Sequence, residues 1–328
     1  MKRIFIIIAM LVAILTAKEY TIKLATIAPE GSSWMKEMHN FANRIAEVTD
    51  NQIKFKTYAG GIMGGEMDML RKLRYGQIDA AVFTGVGLGE ILPEVRVLEL
   101  PFLFQNSDEV DYVFTALLDD FQQKFLDKGY YFVAWAEAGF VYLFTQNRVA
   151  TIADLKETKM WLWKDDPLAR EVFQVMNIPA VPLDITDVYT SLQTNMINGF
   201  YISPYAAIAM QWFTKADYML DYPLTHSLGG VLMTKRKMAT LPESLQKTLQ
   251  NETKKAIREI VLKAREENKK SLQILQENGI ELVPIEEATI AEFKTAGEKT
   301  SLSLAGELYD QELLDKVLYL LEEYRNNQ

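Results

Sequence analysis

Hydrophobic and polar positions alternate along this chain in blocks that predict strands and helices in turn. Residues 20–26 alternate with the two-residue period of a strand, and apolar residues then recur at helical spacing over about 34–49. The same patterns follow at 53–58 and 78–83 for strands and at about 66–75 for a helix. Strand–helix–strand units of this kind predict an α/β protein with a mostly parallel sheet.

A second series of elements begins near residue 130. Asp166-Pro167 predicts a helix start, because a capping carboxylate is followed by a proline at the first helical position of residues 167–176. A polar helix is predicted from 242 to about 277, and at 1.5 Å per residue its length of about 50 Å exceeds one small domain. We therefore expect this helix to connect two domains. The predicted strands of this series are 130–136, 141–145, 159–163, a short one near 180–182, and 230–234.

Residues 1–17 have the features of a secretory signal peptide. Lys2 and Arg3 precede the apolar run 4–15, and a small-residue cleavage site ends at Ala17. The apolar run is shorter than the roughly 20 residues of a membrane-spanning helix, and an uncleaved amphipathic anchor is the alternative. The sequence contains no cysteine, which argues against a lipid anchor, a disulfide framework and a thiolate site. We expect export to the periplasm with removal of the signal peptide.

Length and charge limit the classes of function. The formal net charge is −9, from 44 acidic and 35 basic residues, so nucleic acid is not an expected partner. A chain of 328 residues with 49% hydrophobic composition can form large cores, and this length suggests two domains. Because no Pro/Gly/Ser-rich linker separates them, we expect the chain to cross between the domains more than once.

Few residues suggest catalysis or a cofactor. The histidines His39 and His226 lie outside any metal-ligand motif. The run 85–89 suggests a dinucleotide-binding turn, but Glu90 stands where the third glycine belongs. Asp165-Asp166 fits a helix cap better than a metal pair. We therefore predict no enzymatic activity, no metal and no cofactor.

Aromatic residues are concentrated where the predicted strands end. Open α/β sheets bind ligands at such ends, whereas a single aromatic residue is more often part of a core. The concentration of aromatics from both halves of the chain favours a binding cleft. The set comprises Trp34, Phe83, Trp135, Phe140, Tyr142, Trp161, Trp163, Phe200, Tyr201 and Tyr205.

Four segments resemble the solute-binding proteins of tripartite ATP-independent periplasmic (TRAP) transporters, the DctP-like family. They are residues 58–79, which contain Gly-Gly-Ile-Met-Gly-Gly-Glu, 98–104 (Leu-Glu-Leu-Pro-Phe-Leu-Phe), 152–156, and 187–199. The resemblance implies a two-lobed, type II-like periplasmic binding protein with crossing hinge strands and a long domain-spanning helix. It also implies that a small ligand is captured between the lobes and delivered to the small and large membrane subunits of an ion-gradient-driven permease.

We expect the lobes to close on the ligand about crossing segments near Phe140 and Leu228. Each lobe is then built from two stretches of chain. The predicted division is 1–17 for the signal peptide, 18–140 plus about 229–256 for lobe I, and 141–228 plus about 257–328 for lobe II.

The family pattern changes at the ligand pocket. Many members carry two arginines that hold an anionic ligand, and alignment of the flanking segments puts Val141 and Trp161 at those positions. An arginine pairs bidentately with a carboxylate, whereas an indole offers one donor and a large apolar face. We therefore expect an apolar or only partly polar ligand in place of the usual organic acid.

The polar candidates that remain are few. Glu137 either holds a ligand amine or a cation, or it is a surface or hinge carboxylate. A ligand-responsive partner of a signalling receptor and an extracytoplasmic enzyme on the same scaffold are the alternative functions, and the ligand's identity stays open. The predicted ligand-binding residues are Trp34, Glu66, Thr84, Glu137, Val141, Trp161, Trp163, Ile185, Tyr201 and Ser203.

Overall fold

A computed structural model of the chain describes residues 18–328. The predicted signal peptide, residues 1–17, lies outside the described residues. Within the described part, none of the helices combines the length and the apolar character that a membrane span needs.

The described residues contain ten strands and twelve α-helices. The strands are β1 (Tyr20–Ala25), β2 (Ile53–Tyr58), β3 (Ala80–Thr84), β4 (Tyr130–Thr145), β5 (Met160–Trp163), β6 (Ala180–Leu183), β7 (Gly199–Ile202), β8 (Tyr218–Leu220), β9 (Thr225–Thr234) and β10 (Glu281–Val283). The helices are α1 (Ser33–Val48), α2 (Glu66–Arg74), α3 (Gly85–Gly89), α4 (Ser107–Asp127), α5 (Ile152–Lys156), α6 (Pro167–Met176), α7 (Val188–Gln193), α8 (Pro204–Ala209), α9 (Lys235–Met238), α10 (Glu243–Glu277), α11 (Glu287–Leu304) and α12 (Gln311–Asn326). Short 3-10 helices cover Pro93–Glu99, Ile185–Asp187 and Trp212–Lys215.

All ten strands belong to one continuous sheet with the order β2-β1-β3-β9-β4-β7-β5-β6, to which β8 and β10 are added beside β4. The predicted parallel pairing is present within each half, where β1 pairs with β2 and β3, and β5 pairs with β6 and β7. In the middle, β9 runs antiparallel to β3 and β4, so the sheet is mixed. This arrangement divides the molecule into lobe I, around β1–β3, and lobe II, around β5–β8 and β10.

Strand β4 passes from one lobe into the other without a break. We predicted two strands, 130–136 and 141–145, but the structure has a single strand over Tyr130–Thr145. Its pairing with β9 shifts register between Phe132 and Trp135 and between Glu137 and Gly139, as at β-bulges. Beyond the second irregularity, β4 pairs with β7 and β8 of lobe II. The two-lobed α/β fold with crossing strands is confirmed.

Helix α10 also joins the lobes. Over its 35 residues, Ile257 and Ile260 pack into the core of lobe I beneath α1, whereas Leu275 packs into the core of lobe II. Apolar residues from opposite ends of one helix are therefore buried in two separate cores. The predicted domain-spanning helix is present.

The C-terminal helix α12 lies on lobe I, although the predicted division puts it in lobe II. Leu314, Val317 and Leu321 are buried in the same apolar core as α4. Arg325 pairs with Glu109 at the start of α4, with Nε 2.8 Å from Oε1. An apolar stripe with i, i+3 and i+7 spacing indicates a buried face but does not indicate which lobe covers it. The other lobe boundaries stay a prediction.

Candidate ligand-binding cleft

Two adjoining cavities lie between the lobes where β4 and β9 cross. The Arg96 cavity, of about 150 Å³, contains Arg96 in its wall, and the Trp34 cavity, of about 160 Å³, contains Trp34. Both are lined mainly by apolar atoms. They share the wall residues Thr84, Ala138, Trp163, Ile185, Ile202 and Ser227. The two cavities therefore form one cleft with two ends.

The structure brings all ten predicted site residues to this cleft, and whether they bind ligand stays a prediction. These ten residues divide between the two ends of the cleft. Residues after β1 and at the starts of α1 and α2 surround one end, and strands of lobe II surround the other. Trp34, Glu66 and Glu137 line the Trp34 cavity, and Val141, Trp161, Tyr201 and Ser203 line the Arg96 cavity; Thr84, Trp163 and Ile185 line both.

Glu66 is committed to the protein's own backbone. Its carboxylate accepts hydrogen bonds from the Thr84 N–H at 2.6 Å, the Thr84 hydroxyl at 2.8 Å and the Gly87 N–H at 2.8 Å. Burial raises its pKa to about 7, although these hydrogen bonds oppose the shift. Glu66 thus fixes the turn from β3 into α3 at the rim of the cleft.

Ser203 and Thr84 have comparable structural roles. The Ser203 hydroxyl caps α8 by accepting from the Ala206 N–H at 3.4 Å, and the Thr84 hydroxyl caps α3 by accepting from the Val86 N–H at 3.3 Å. At the opposite end of the cleft, the Trp34 N–H donates to the Tyr205 hydroxyl at 3.3 Å and so links α1 of lobe I to α8 of lobe II. Several of the predicted polar ligand-binding residues therefore form hydrogen bonds within the protein that hold the cleft walls in place.

Glu137 is a buried hinge carboxylate. Arg265 of α10 binds it through Nε–Oε1 at 2.7 Å and Nη2–Oε2 at 3.0 Å, and His226 Nε2 lies 3.2 Å from Oε2. Burial opposes ionisation of Glu137, but the hydrogen bonds from His226 and Arg265 prevail and lower its pKa to about 2. Both carboxylate oxygens already have partners. This geometry favours the hinge interpretation over a ligand amine or a cation.

Trp161 forms an aromatic wall with its neighbours. Its ring stacks on Tyr201 with centroids 5.1 Å apart and meets Trp212 edge-on at 5.2 Å. The indole N–H, the one hydrogen-bond donor that the Trp161 side chain has, donates to the Leu183 carbonyl at 3.1 Å. Trp161 is only 1% exposed and belongs to the core of lobe II. It therefore offers the cleft an apolar surface but no free donor.

Three charged residues of the cleft were missing from the predicted site. Arg96 and Glu99 lie on the 3-10 helix Pro93–Glu99 of lobe I, and Asp166 caps α6 of lobe II as predicted. Arg96 Nη2 donates to both carboxylate oxygens of Asp166, at 2.8 and 3.0 Å, and Arg96 Nη1 lies 2.8 Å from Glu99 Oε2. The feature of the sequence that could have indicated this cluster is a lone arginine within the apolar run Val95-Arg96-Val97-Leu98. Among the described residues, no group of acidic and histidine side chains could hold a metal ion.

The comparison with known families decides the classification. The family model described as bacterial extracellular solute-binding protein, family 7 (DctP) matches residues 24–305. The chain belongs to this family. The resemblance seen in the sequence is therefore confirmed, and the family comprises solute-binding proteins, which are not enzymes.

Family 7 relatives and solved structures agree with this assignment. A solute-binding protein of Chromohalobacter salexigens is 26% identical over 250 residues, covering 75% of this chain and 70% of that protein. The 2,3-diketo-L-gulonate-binding periplasmic protein of Escherichia coli is 24% identical over 249 residues, covering 74% of each. Among solved structures, the sugar acid binding protein DctPAm of Advenella mimigardefordensis with galactonate superposes with a TM-score of 0.88 at 18% identity, covering 93% and 99% of the two chains. This likeness shows the fold.

In this family 7 protein, Val141 and Trp161 are the positions at which the resemblance implies arginines in many members. Val141 on β4 and Trp161 on β5 both line the Arg96 cavity. Arg96 is the one basic residue among the described residues that line either cavity. It comes from lobe I and is already paired with two carboxylates.

Proposed function

We propose that this protein is the extracytoplasmic solute-binding subunit of a TRAP transporter, which captures a small organic ligand between its lobes. The observation that carries the proposal is the cleft at the crossing of β4 and β9, in a chain whose family consists of solute-binding proteins. A ligand that contacts both lobes binds the closed state selectively, so capture and closure are coupled.

The character of the walls supports an apolar or only partly polar ligand. Val141, Leu143 and Trp161 form a side of the cavity that offers no charge to a carboxylate. Each methylene that a ligand buries there contributes about 0.8 kcal/mol. The Advenella protein holds galactonate and a Haemophilus influenzae TRAP protein holds L-gulonate, whereas the cleft described here has its one arginine neutralised. We therefore propose a ligand with a large apolar part.

The proposed partners are the small and large membrane subunits of an ion-gradient-driven permease, and the proposed location is the periplasm after removal of residues 1–17. Family membership and the periplasmic TRAP proteins among its structural neighbours support both statements. Nothing in the described residues or in the comparisons favours the signalling alternative.

Mass spectrometry of the purified protein under native conditions tests the proposal directly. We expect a retained organic solute, and small-angle scattering should give a smaller radius of gyration when that solute saturates a protein freed of it. An unchanged radius at saturation would count against capture between two lobes.

A matched pair of variants assigns the solute to the cleft. Val141→Arg introduces a charge into the cavity wall, whereas Val48→Arg introduces the same side chain at a position that is 49% exposed on α1. With folding verified by circular dichroism, we expect loss of the retained solute only in Val141→Arg. Equal retention by the two variants would place the binding site elsewhere.

A further inference from the structure

Ser227 of β9 lies where the two cavities of the cleft meet. It lines both the Arg96 cavity and the Trp34 cavity, and its side chain is half-buried. Ala138 of β4 lines both cavities as well, and Ser227 pairs in the sheet with Gly139 of β4. Where β4 and β9 cross, the wall that the cavities share is therefore built from small residues, which leaves space for one molecule to pass from one cavity into the other.

The Ser227 hydroxyl is not engaged within the protein. It forms no hydrogen bond with any described residue, whereas other hydroxyls of the cleft are committed. Thr84 Oγ1 donates to Glu66 Oε2 at 2.8 Å, and Thr225 Oγ1 donates to the Glu99 carbonyl at 2.6 Å. A half-buried hydroxyl between apolar walls gains a hydrogen bond when a ligand supplies the partner. Ser227 is therefore available to a ligand at the middle of the cleft.

The other available polar side chains of the walls are donors. The indole N–H groups of Trp34 and Trp163 donate to no described residue, and an indole cannot accept. The hydroxyls of Tyr201 and Tyr205 each accept from a backbone N–H, at 3.2 and 3.3 Å, and keep their own hydrogen to donate. A hydroxyl such as that of Ser227 can donate or accept. In this donor-rich setting, the ligand group that fits is an acceptor.

The cleft has no unpaired positive charge for an acidic ligand. Arg96, the one basic residue among the described residues that line either cavity, is 3% exposed, and its Nη2 donates to both oxygens of Asp166 at 2.8 and 3.0 Å. This pair alone compensates the charge of Arg96, whatever the protonation state of Glu99. Arg96 is also packed on the backbone at Gly89, where an added Cβ would lie 2.8 Å from Arg96 Cδ. Because an unpaired carboxylate is costly among apolar walls, the acceptor is expected to be uncharged.

We propose that the ligand spans both cavities, with an apolar arm in each and an uncharged carbonyl oxygen between them that accepts a hydrogen bond from Ser227 Oγ. Val141 and Trp161 would contact one arm, and Ile27 and Trp34 the other. The ligand class is then a neutral ketone, ester or amide whose carbonyl lies in the middle of the molecule. This inference rests on the proposed function, because it assumes that the cleft is the solute site.

Two isomeric ketones and an acid of the same chain length test the position and the charge of the polar group. They are 5-nonanone, 2-nonanone and nonanoate, titrated calorimetrically at pH 7.5 into protein freed of retained solute. We expect 5-nonanone to bind about tenfold more tightly than the other two, because it alone combines a carbonyl at Ser227 with an arm in each cavity. Equal or tighter binding by 2-nonanone or nonanoate, or no binding by 5-nonanone at 1 mM, would overturn the inference.

Two variants of Ser227 separate its hydroxyl from its size. Ser227→Ala removes only the hydroxyl, so the affinity for 5-nonanone should fall about fivefold and its advantage over 2-nonanone should shrink. Ser227→Leu fills the junction and should cost 5-nonanone more affinity than 2-nonanone, which can lie within one cavity. The control is Ser244→Ala, at an exposed position of α10 outside both cavities, where no change is expected.

Ser227→Ala decides the role of the hydroxyl even if Ser227→Leu does not fold. Folding of each variant is verified by circular dichroism before titration. Equal affinity of Ser227→Ala and Ser244→Ala for 5-nonanone would refute the hydrogen bond from Ser227.

The outcomes also separate this inference from the function on which it rests. A retained carboxylic acid that contracts the protein in small-angle scattering would overturn the neutral, two-armed ligand and leave the solute-binding function intact. Absence of any retained solute, together with no contraction by any of the three probes, would count against the proposed function itself.

Discussion

Gly139 on β4 packs so closely against Asn268 on α10 that a Cβ atom at residue 139 would lie 2.6 Å from Asn268 Nδ2. Asn268 uses that nitrogen to donate to the Ala138 carbonyl at 2.9 Å, and its side-chain oxygen accepts from the Tyr205 N–H at 3.0 Å. One side chain of the long helix thus joins the crossing strand to α8 of lobe II. Gly139 also has a φ of +102°, which disfavours any other residue.

Gly139→Ala is expected to destabilise the protein more than the matched variant Gly129→Ala. Gly129 has a similar φ of +92°, but an added Cβ there meets nothing within 4 Å. Both variants therefore carry the backbone strain, and only Gly139→Ala adds the clash with Asn268, worth about 1 to 3 kcal/mol. Urea unfolding of the two variants measures the difference. Equal losses would mean that the hinge tolerates the additional atom.

Glu137→Gln should destabilise the hinge, because it removes the buried negative charge that pairs with Arg265. We expect a loss of about 2 to 3 kcal/mol in the free energy of unfolding, less than for an isolated buried pair since Asp111 still binds Arg265. The control is Glu266→Gln, whose pair with Lys270 is exposed on the same helix and should contribute far less to stability. Similar losses in denaturant titrations would contradict this assignment.

Stability should pass through a maximum in mildly acidic solution. The pKa values of Glu66 and Glu99 are raised from 4.5 to about 7, so the folded state binds more protons than the unfolded state between these values and gains stability as the pH falls. The pKa of Glu137 is lowered to about 2, so its contribution is lost as the pH falls from about 4.5 towards 2. Urea midpoints should rise from pH 8 to about 5 and then decrease. A midpoint that increases steadily from pH 5 to pH 8 would refute this account.

The two tryptophans of β5 should respond differently to truncation. Trp161→Ala leaves a hole in the core of lobe II and should cost about 3 to 5 kcal/mol of stability. Trp163 is partly exposed and lines both cavities, so Trp163→Ala should cost less stability. It should, however, lower the affinity for the retained solute about thirtyfold, or by roughly 2 kcal/mol. Calorimetric titration measures the affinity of Trp163→Ala. Unchanged affinity would show that Trp163 does not contact the solute.

Trp161→Arg tests the apolar character of the cavity. We expect this variant to bind the retained solute more weakly, because the substitution would place a charge beside an apolar ligand. Titration of the variant, after confirmation that it folds, gives the answer, and tighter binding would show that a carboxylate is the natural ligand group.

Export should leave a mature chain that begins at Lys18, after cleavage behind Ala17. Intact-mass measurement on a periplasmic extract decides the point. A persistent full-length form in the membrane fraction would indicate the uncleaved anchor instead.

The sequence by itself determined the elements whose periodicity is local. The strand at 53–58 and the helix at 167–176 have the predicted bounds, and the helix predicted over about 34–49 is displaced by one residue. Spacing of apolar residues reports which face is buried, and turns and caps report where an element ends. The prediction of β4 as two strands was wrong, because a bulge at Gly139 resembles a strand end in the sequence.

The predicted site residues came from the aromatic residues near predicted strand ends, from a few polar candidates and from the resemblance to a family, and their convergence on one cleft follows from the crossing strands. The contact between Arg96 and Asp166 joins residues 70 positions apart, and the contact between Glu137 and Arg265 joins residues 128 apart. No local pattern encodes such pairs, because they depend on how the two lobes pack and how α10 lies across β4. Residue spacing determined the elements and their buried faces, whereas the partners of the buried charges, and hence the polarity of the cleft, were decided by the tertiary structure alone.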